Sequence, residues 1–304
     1  MEAAVGESKA RSGHAGAFSR ISAHVGQARH VGVVIALCLA AVIAAFAGPA
    51  AATTRKASAA QASVGPLVAA GTLHFCSDIS SPPLEFYKNG TDATGSDVAL
   101  GDAIAAQLHL KPVWVNTAFS GIIPALQANH CDAIMSQLFD KPARRKVVSF
   151  VDYMNSSEAV LVRKGNPLHV SGIHGLCGHH VATETGTTVA DFLTAESKKC
   201  QAAGKSAITV QTFLRDSDAL EQLSLGHVDA YGTTLETGAY DMSKNRSEFQ
   251  VAGKPFGQIP TGIAVRKNDP QLLHAIQHAF AAVRAKGTYK SIMTRWGLTG
   301  DMIK

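Results

Sequence analysis

The chain alternates short apolar runs with amphipathic stretches from residue 67 onward. Runs rich in β-branched and aromatic residues predict strands, and apolar positions that recur three to four residues apart predict helices. In the first half, the predicted elements are strands over 73–77, 113–116 and 132–136, helices over 97–108 and 121–128, and a small hairpin over 86–94. Strands that alternate with helices indicate a parallel sheet, because each helix returns the chain to the start of the next strand.

The same pattern starts again near residue 181. The second set contains strands over 181–185, 208–213 and 228–232 and helices over 188–199 and 216–225, followed by a strand over 261–266 and a helix over 270–286 that ends at Gly287. Two similar units in succession predict an α/β protein of two lobes, each a mostly parallel sheet flanked by helices. We expect lobe 1 to comprise 67–160 and 261–304, and lobe 2 to comprise 161–260, so that the chain crosses between the lobes twice.

An uncharged apolar run, VGVVIALCLAAVIAAFA, occupies residues 31–47 and follows two arginines. It predicts a secretory signal cleaved near Ala52 or Ala59, within a leader over 1–52, and the Ala/Ser/Thr-rich stretch 53–66 predicts a flexible linker. The alternative is an uncleaved membrane anchor, since the run is only just long enough to span a bilayer. Both interpretations place the two lobes outside the cytoplasm, in the periplasm or an equivalent compartment.

Composition narrows the class of protein. With 304 residues, of which 46% are hydrophobic, the chain can bury a sizeable core, which argues against a disordered protein. The formal charge of +5 comes from Lys and Arg residues that are dispersed along the sequence. A nucleic-acid-binding surface gathers such residues on one face. The composition therefore argues against nucleic acid as a partner.

Export makes Cys76, Cys131, Cys177 and Cys200 candidates for disulfides, and four thiols allow three pairings. Cys177 precedes a predicted strand, and Cys200 closes the helix that follows and runs back along that strand. We therefore expect a Cys177–Cys200 bridge. Cys76 lies late in the first strand and Cys131 just before a parallel neighbour, an offset that could keep their Cα atoms too far apart. The second pairing stays open.

One arginine stands at a fixed distance beyond the predicted strand over 132–136. The guanidinium of Arg144 can fork onto both oxygens of a carboxylate, and polar groups at the carboxyl end of the strand, such as Ser136, can complete the cradle. The alternative is a solvated basic turn, because Arg144, Arg145 and Lys146 form a run of charges and loop arginines are mostly exposed.

A second anion-binding feature is predicted on the other lobe. Gly186, Thr187 and Thr188 begin a helix, where unpaired N–H groups and the positive end of the helix dipole favour an anion. Ligands of parallel sheets bind beyond the carboxyl ends of the strands. With two lobes facing each other, Asp78 and Ser136 would lie on one side of a cleft and the Gly-Thr-Thr segment on the other. An ordinary helix cap is the alternative for that segment.

Several segments match one protein family in order and spacing. They are CSDISSPPLEF at 76–86, GSDVALGDAIAAQL at 95–108, NTAFSGIIPALQANHCDAIMS at 116–136, PARRKVVSFVDY at 142–153, TGTTVADFL at 185–193, GHVDAYGTT at 226–234 and GTYKSIMTRWGL at 287–298. Over residues 67–298 the chain resembles the extracellular solute-binding proteins of family 3, the receptors that supply polar amino acids to ABC importers. The resemblance implies a hinged, two-lobed fold of periplasmic-binding-protein type II, no cofactor, and a monomer that works with permease subunits. It places the hinge strands near 159–162 and 260–262.

The resemblance also implies roles for individual residues. Arg144 corresponds to the arginine that grips the ligand α-carboxylate, Thr188 to a backbone N–H donor from the other lobe, and Asp78 to an acid near the ligand side chain or amino end. The expected ligand-binding residues are Asp78, Ser136, Gln137, Arg144, Gly186, Thr187, Thr188 and Thr234, with Ser81, Phe119, Phe139 and Glu236 as further candidates.

Three positions depart from the pattern of the family. Thr234 stands where many amino-acid receptors carry an aspartate that pairs with the ligand α-ammonium, and a hydroxyl cannot replace a full negative charge. Glu236, two residues on, could substitute only if the local backbone differs. Ser81 stands where an aromatic often covers the ligand, and Phe139 where a small polar residue is common. An amino-acid derivative or another small organic acid therefore stays open as the ligand.

The leading interpretation is a non-enzymatic receptor in which a ligand that bridges the lobes stabilises the closed form. One alternative is an enzyme on the same fold, similar to cyclohexadienyl dehydratase or to cell-wall lyases, with Asp78, Glu184 and Glu236 as its available carboxylates. The other is a ligand-sensing subunit for a separate signalling partner.

The sequence predicts no metal site. His174, Cys177, His179 and His180 are close together and are residue types that transition metals accept. However, adjacent histidines point to opposite sides of an extended chain, and Cys177 is expected in a disulfide. No spacing completes a four-ligand site.

Overall fold

One nine-stranded sheet organises residues 64–304, the part of the chain that the computed structural model describes. Its strands and those of a small three-stranded sheet are β1 (Thr72–Ser77), β2 (Ser80–Ser81), β3 (Glu85–Tyr87), β4 (Ala93–Thr94), β5 (Lys111–Asn116), β6 (Ala133–Ile134), β7 (Val148–Arg163), β8 (His180–Glu184), β9 (Thr209–Phe213), β10 (Ala230–Thr234), β11 (Phe249–Val251) and β12 (Phe256–Arg266). The helices are α1 (Ser96–Gln107), α2 (Ile122–Gln127), α3 (Pro142–Arg145), α4 (Thr188–Ala202), α5 (Asp216–Ser224), α6 (Leu235–Lys244), α7 (Pro270–Ala285) and α8 (Thr288–Arg295).

The predicted elements are confirmed within about five residues, and the differences are one shortened strand and several elements that were not predicted, among them α3, α6, α8, β11 and most of β7. The strand predicted over 132–136 pairs only at Ala133 and Ile134, because the backbone turns out of the sheet at Gln137, whose φ is +42°. Helix α6 was not predicted from the sequence. A glycine at position 238 interrupts its pattern, and Thr234 starts it as an N-cap whose hydroxyl accepts the Thr237 N–H at 3.3 Å.

The order of strands in the large sheet is β5-β1-β6-β12-β7-β10-β8-β9, and β11 pairs with β7. At one end β1 runs parallel to β5 and β6, and at the other β8 runs parallel to β9 and β10. The antiparallel strands β7 and β12 lie in the middle. This is the predicted arrangement of two mostly parallel halves with helices on their faces.

Strand β7 carries the chain from one half to the other. Its 16 residues pair first with β12 and then, from Glu158 to Arg163, with β10 and β11. The β7–β12 pairing is irregular between Phe256 and Ile259 and between Thr261 and Gly262. The lobe boundaries and the hinges near 159–162 and 260–262 stay predictions.

The leader predicted over 1–52 lies outside the described residues, as does the predicted linker up to residue 63. Within residues 64–304, none of the helices combines the length and the apolar character that a bilayer span requires.

Each half of the sheet is covered on both faces by apolar side chains. In lobe 1, Phe75 packs with residues of α1, α7 and α8, while the other face meets α2. In the other half of the sheet, Val160 and Leu161 of β7 point to opposite faces, where they join separate clusters containing α4 on one side and α5 on the other. Sheets buried in this way read as nearly continuous apolar runs.

Both candidate disulfides are present. Cys177 bonds Cys200, and Cys76 bonds Cys131, each pair with its Cα atoms 5.6 Å apart. The predicted obstacle to the second bridge was therefore wrong. Because β6 contains only two residues, Cys131 lies in the turn that leads into it and is not held at the offset of a longer parallel ladder.

Candidate functional site

The carboxyl ends of strands from both lobes face one cleft, which holds a cavity of about 40 Å³. The predicted ligand-binding residues on its wall are Ser81, Phe119, Ser136, Gln137, Phe139, Arg144, Thr187, Thr188 and Thr234. Three further predicted residues, Asp78, Gly186 and Glu236, are not on the wall, but each is hydrogen-bonded to a residue that is. Side chains far apart in sequence thus meet at the place that the strand order predicts.

Arg144 is buried between the two lobes. It lies on the single-turn helix α3, which begins with Pro142. Its guanidinium donates to the carbonyl oxygen of Phe139 at 3.1 Å and to that of Gly186, across the cleft, at 3.2 Å. Burial lowers the pKa of Arg144 to about 10, and the charges of Asp191 and Glu158 oppose the shift. The side chain therefore remains a cation at neutral pH.

The opposite wall is the start of helix α4. Thr187 caps it, because its hydroxyl accepts the Ala190 N–H at 3.3 Å and donates to the Glu184 carbonyl at 2.8 Å. The hydroxyl of Thr188 is buried without a partner among the described residues. The first N–H groups of a helix have no intrahelical acceptor. This end of α4 thus presents hydrogen-bond donors toward the cavity.

Asp78 lies beside the cavity in a group of contacts between the lobes. Its carboxylate accepts the Ser80 hydroxyl at 2.7 Å and the Phe119 N–H at 2.8 Å, and it pairs with Arg215 of lobe 2 at 2.9 Å. Arg215 also donates to Asn116 at 3.0 Å. The oxygens of Asp78 are thus used by protein donors, and its contact with the ligand stays a prediction.

A polar network joins the two lobes at the floor of the cleft. Gln137 donates to Ser156 and to Glu236, both at 3.1 Å, and accepts the Thr234 hydroxyl at 3.2 Å. Glu236 also accepts the Ser157 N–H at 3.4 Å. Glu236 is therefore held by Gln137 and Ser157 and is not part of the cavity wall.

Four buried carboxyl groups line the cavity, and the ligand-site prediction included none of them. The cavity wall contains one cation, Arg144, and four acids, which are Glu85, Glu158, Glu184 and Asp216. Glu85, Glu158 and Glu184 each keep one carboxylate oxygen that is buried without a partner among the described residues. An isolated acid inside an apolar strand, as in SSEAVLV around Glu158, is the sequence signal for such a group.

Burial is the main cause of the perturbed pKa values of these acids. It raises the pKa of Glu158 well above its ordinary value; the charge of Glu236 adds to the increase, and Arg144 opposes it. It also raises the pKa of Glu184, to which Asp78 and Asp216 contribute, and brings the pKa of Asp216 to about 7. A cationic group in the cavity would favour the charged forms of these acids.

Metal ligation finds no support in the described part of the chain. Between residues 64 and 304, no three His, Cys, Asp or Glu side chains are grouped so that they could hold a metal ion. Of the histidines near Cys177, His174 contacts Glu196 at 2.9 Å and His179 contacts Asp229 at 3.2 Å.

Comparison with known proteins shows which family this chain resembles. Residues 73–299 match the model of the bacterial extracellular solute-binding proteins, family 3. The L-cystine-binding protein TcyJ of Escherichia coli (strain K12) is 24% identical over 227 residues, which covers 74% of this chain and 82% of that protein.

Two solved structures share the fold. An ancestral arginine-binding protein bound to arginine superposes with a TM-score of 0.69 at 31% identity, covering 74% of this chain and 98% of that one. An ancestral amino-acid-binding protein, a precursor of cyclohexadienyl dehydratase, superposes with a TM-score of 0.67 at 30% identity, covering 74% and 95%. These similarities confirm the predicted two-lobed, periplasmic-binding-protein-like fold. By name, these similar proteins are binding proteins and not enzymes.

Proposed function

The chain belongs to the bacterial extracellular solute-binding proteins of family 3, and we propose that it captures an amino acid or a related small carboxylate by hinge closure and delivers it to the permease subunits of an ABC importer. Membership of this family implies a location outside the cytoplasm. The receptor is not an enzyme in this proposal, and its ligand leaves the cleft unchanged.

The observation that carries the proposal is the place of Arg144. A guanidinium that is removed from water is costly unless it meets an anion. Arg144 lies on the cavity wall, opposite the donor-rich start of α4 at Thr188. A ligand carboxylate between these two groups would receive the forked donors of Arg144 from one lobe and N–H groups from the other.

Closure follows from the same arrangement. The lobes touch through Arg144 and Gly186, through the ion pair of Lys141 with Asp191, and through that of Asp78 with Arg215. The cavity between these contacts measures only about 40 Å³, and we infer that the contacts part to admit an amino acid. A ligand that contacts both lobes then stabilises the closed form by its differential affinity for it.

The acid-rich wall favours ligands that carry positive as well as negative charge. The similar proteins named above bind cystine and arginine, both of which have ammonium groups. Glu158, Glu184 and Asp216 line the cavity together with Arg144, and a cationic group of the ligand would favour their ionised forms. A dicarboxylate brings no such cationic group to these acids.

The proposal is tested by differential scanning fluorimetry of the purified protein against the common amino acids, L-cystine, opines, betaines and dicarboxylates. A ligand at 100 times its dissociation constant should stabilise the folded protein by about 2.7 kcal/mol. We expect such a shift with at least one carboxylate. If no carboxylate stabilises the protein, or if it turns over prephenate, arogenate or peptidoglycan, the proposed function is wrong.

A further inference from the structure

At Thr234, the ligand site lacks the acid that pairs with the ligand α-ammonium in many receptors of this family. Thr234 stands where many receptors of this family carry the aspartate for the ligand α-ammonium, and its hydroxyl bonds Gln137. An α-amino acid whose carboxylate is held by Arg144 necessarily brings its ammonium group into the same closed cleft. A buried ammonium needs a carboxylate partner. Either another acid supplies it, or the ligand has no amino group.

Glu158 stands directly beside Thr234 in the sheet. Strands β10 and β7 are antiparallel, and Thr234 and Glu158 are register partners. Side chains of such partners project from the same face with their Cβ atoms about 5 Å apart. A carboxylate that starts at Glu158 can therefore reach the region that an acid at position 234 would occupy.

The carboxyl group of Glu158 is buried at the cavity wall and has an oxygen atom that protein donors leave unsatisfied. The residue is 1% exposed, lines the cavity together with Arg144, and keeps its Oε2 atom without a hydrogen bond among the described residues. Burial raises the pKa of its carboxyl, and the charge of Arg144 opposes the increase. A ligand ammonium would favour the ionised carboxylate in the same way.

The other buried acids are engaged with protein groups. Asp216 accepts the hydroxyls of Tyr231 at 2.5 Å and Thr233 at 3.3 Å. Burial raises the pKa of Glu184, and the charges of the nearby Asp78 and Asp216 add to the increase. Glu85 accepts the Ser136 hydroxyl at 3.0 Å, and Glu236 is held by Gln137 outside the cavity. Glu85 and Glu184 also keep one carboxylate oxygen without a partner among the described residues, but of these acids only Glu158 is the register partner of Thr234, the family position.

We propose that Glu158 accepts hydrogen bonds from the ligand α-ammonium, in place of the acid that Thr234 lacks, so that this receptor takes zwitterionic α-amino acids and discriminates against acids without an α-amino group. The inference rests on the proposed function, because it presupposes a carboxylate at Arg144. It resolves the choice that Thr234 left open, in favour of the free amino acid.

Isothermal titration calorimetry with matched ligand pairs tests the inference. L-arginine is compared with 5-guanidinopentanoate, and L-cystine with 3,3′-dithiodipropionate, since each pair differs only by α-amino groups. Any other amino acid that shifts the melting temperature is compared with its own des-amino acid. The variants are Glu158→Gln, which keeps the shape and removes the charge, and Glu221→Gln, which makes the same change at an exposed residue of α5. Circular dichroism verifies that both are folded.

The expected result is selective. Wild-type protein should bind the amino acid at least about 10-fold more tightly than its des-amino acid. Glu158→Gln should weaken amino-acid binding by about 10- to 100-fold, leave des-amino binding unchanged or tighter, and so abolish the discrimination. Glu221→Gln should leave both affinities unchanged.

A double variant, Glu158→Gln with Thr234→Asp, moves the acid to the neighbouring strand. Aspartate caps a helix at least as well as threonine, so α6 should keep its start. We expect this variant to recover discrimination for the amino group, and failure to recover it would count against a role of the charge at this place.

The outcomes separate this inference from the proposed function. If the wild-type protein binds only acids without an α-amino group, or if Glu158→Gln binds both members of a pair as the wild type does, the inference is wrong while the receptor proposal stands. Equal weakening of both members of a pair also overturns it, because a structural role would affect both. If no carboxylate binds at all, both proposals fail.

Discussion

Arg144 and Arg145 are sequence neighbours whose surroundings differ. Arg144 is 7% exposed and lies between the lobes. The side chain of Arg145 is 59% exposed and forms an ion pair with Asp140 at 2.5 Å. A charge retains a strong effect on its surroundings where water is excluded, and surface pairs contribute little. Burial, more than residue type, therefore determines which member of this basic run can bind a ligand.

Replacing Arg144 by alanine should weaken binding of any carboxylate ligand by about 10- to 100-fold, because a hydrogen bond to a charged group contributes about 1.5 to 3 kcal/mol. Isothermal titration calorimetry measures the change. Arg145→Ala removes the same charge from the same helix and should alter affinity by less than about threefold. If the two variants lose affinity equally, Arg144 is not the carboxylate partner.

At the residue scale, the sequence predicted some residues of the candidate site and missed others. Arg144 and Thr188 could be proposed because each has a local signal, an arginine beyond a strand and a threonine at the start of a helix. Glu158 has only the signal of an acid inside an apolar strand, and its role depends on its register with Thr234, 76 positions away, which no local pattern specifies. The burial that perturbs the pKa of Glu158 is likewise a property of the assembled cleft.

At the element scale, the lobes approach each other closely where α4 begins. Gly186 precedes that helix with a φ of +83°, and a Cβ added to it would lie 3.1 Å from the Cα of Ser120 in lobe 1. Its carbonyl accepts from Arg144. Glycine is therefore required here both by the backbone conformation and by the closeness of the opposing lobe.

Gly186→Ala should lower the free energy of unfolding by about 1 to 2 kcal/mol and also weaken ligand binding, because the added methyl opposes closure. Gly204→Ala is the matched control, since its φ is +68° but nothing lies within 4 Å of the added Cβ. It should lower stability similarly without changing affinity. Urea unfolding and calorimetry separate the two effects. Unchanged affinity in Gly186→Ala would show that this contact does not limit closure.

Periodicity predicted most elements, and its failures have local physical causes. The long apolar or amphipathic runs of α4 and α7 fix their own type and extent. Strand β6 is shorter than predicted because Gln137 adopts a left-handed backbone conformation at the floor of the cleft. That turn positions Gln137 to bond residues of both lobes, so the error in the strand coincides with a feature of the candidate site.

For the whole molecule, the repeated pattern of strands and helices predicted the number and order of the lobes. It did not predict which residues of the two lobes contact each other. The ion pairs of Lys141 with Asp191 and of Asp78 with Arg215 join residues that the sequence separates widely. The same packing gathers the carboxyl groups that line the cavity, at a cost in desolvation. This cost gives the protein a property that can be measured without a ligand.

That property is the pH dependence of stability. Burial raises the pKa of Asp97 to about 6, of Asp216 and Glu236 to about 7, and of Asp241 to about 8. In the unfolded chain such groups have a pKa of about 4. Between about pH 4 and pH 8 these four groups therefore hold more protons in the folded state than in the unfolded state, and their titration lowers the free energy of unfolding as the pH rises.

We expect the free energy of unfolding of the ligand-free protein to be lower at pH 8 than at pH 5 by about 1 kcal/mol or more, because a shift of one pKa unit corresponds to about 1.4 kcal/mol. Urea titrations at several pH values measure it. Asp241→Asn is the matched variant, since Asp241 is buried on α6 outside the cavity and its change should reduce the slope between pH 5 and pH 8. If stability instead increased with pH over this range, the buried acids would have to be ionised and paired in the folded protein. Glu158 would then already have a protein partner and would not depend on the charge of a ligand.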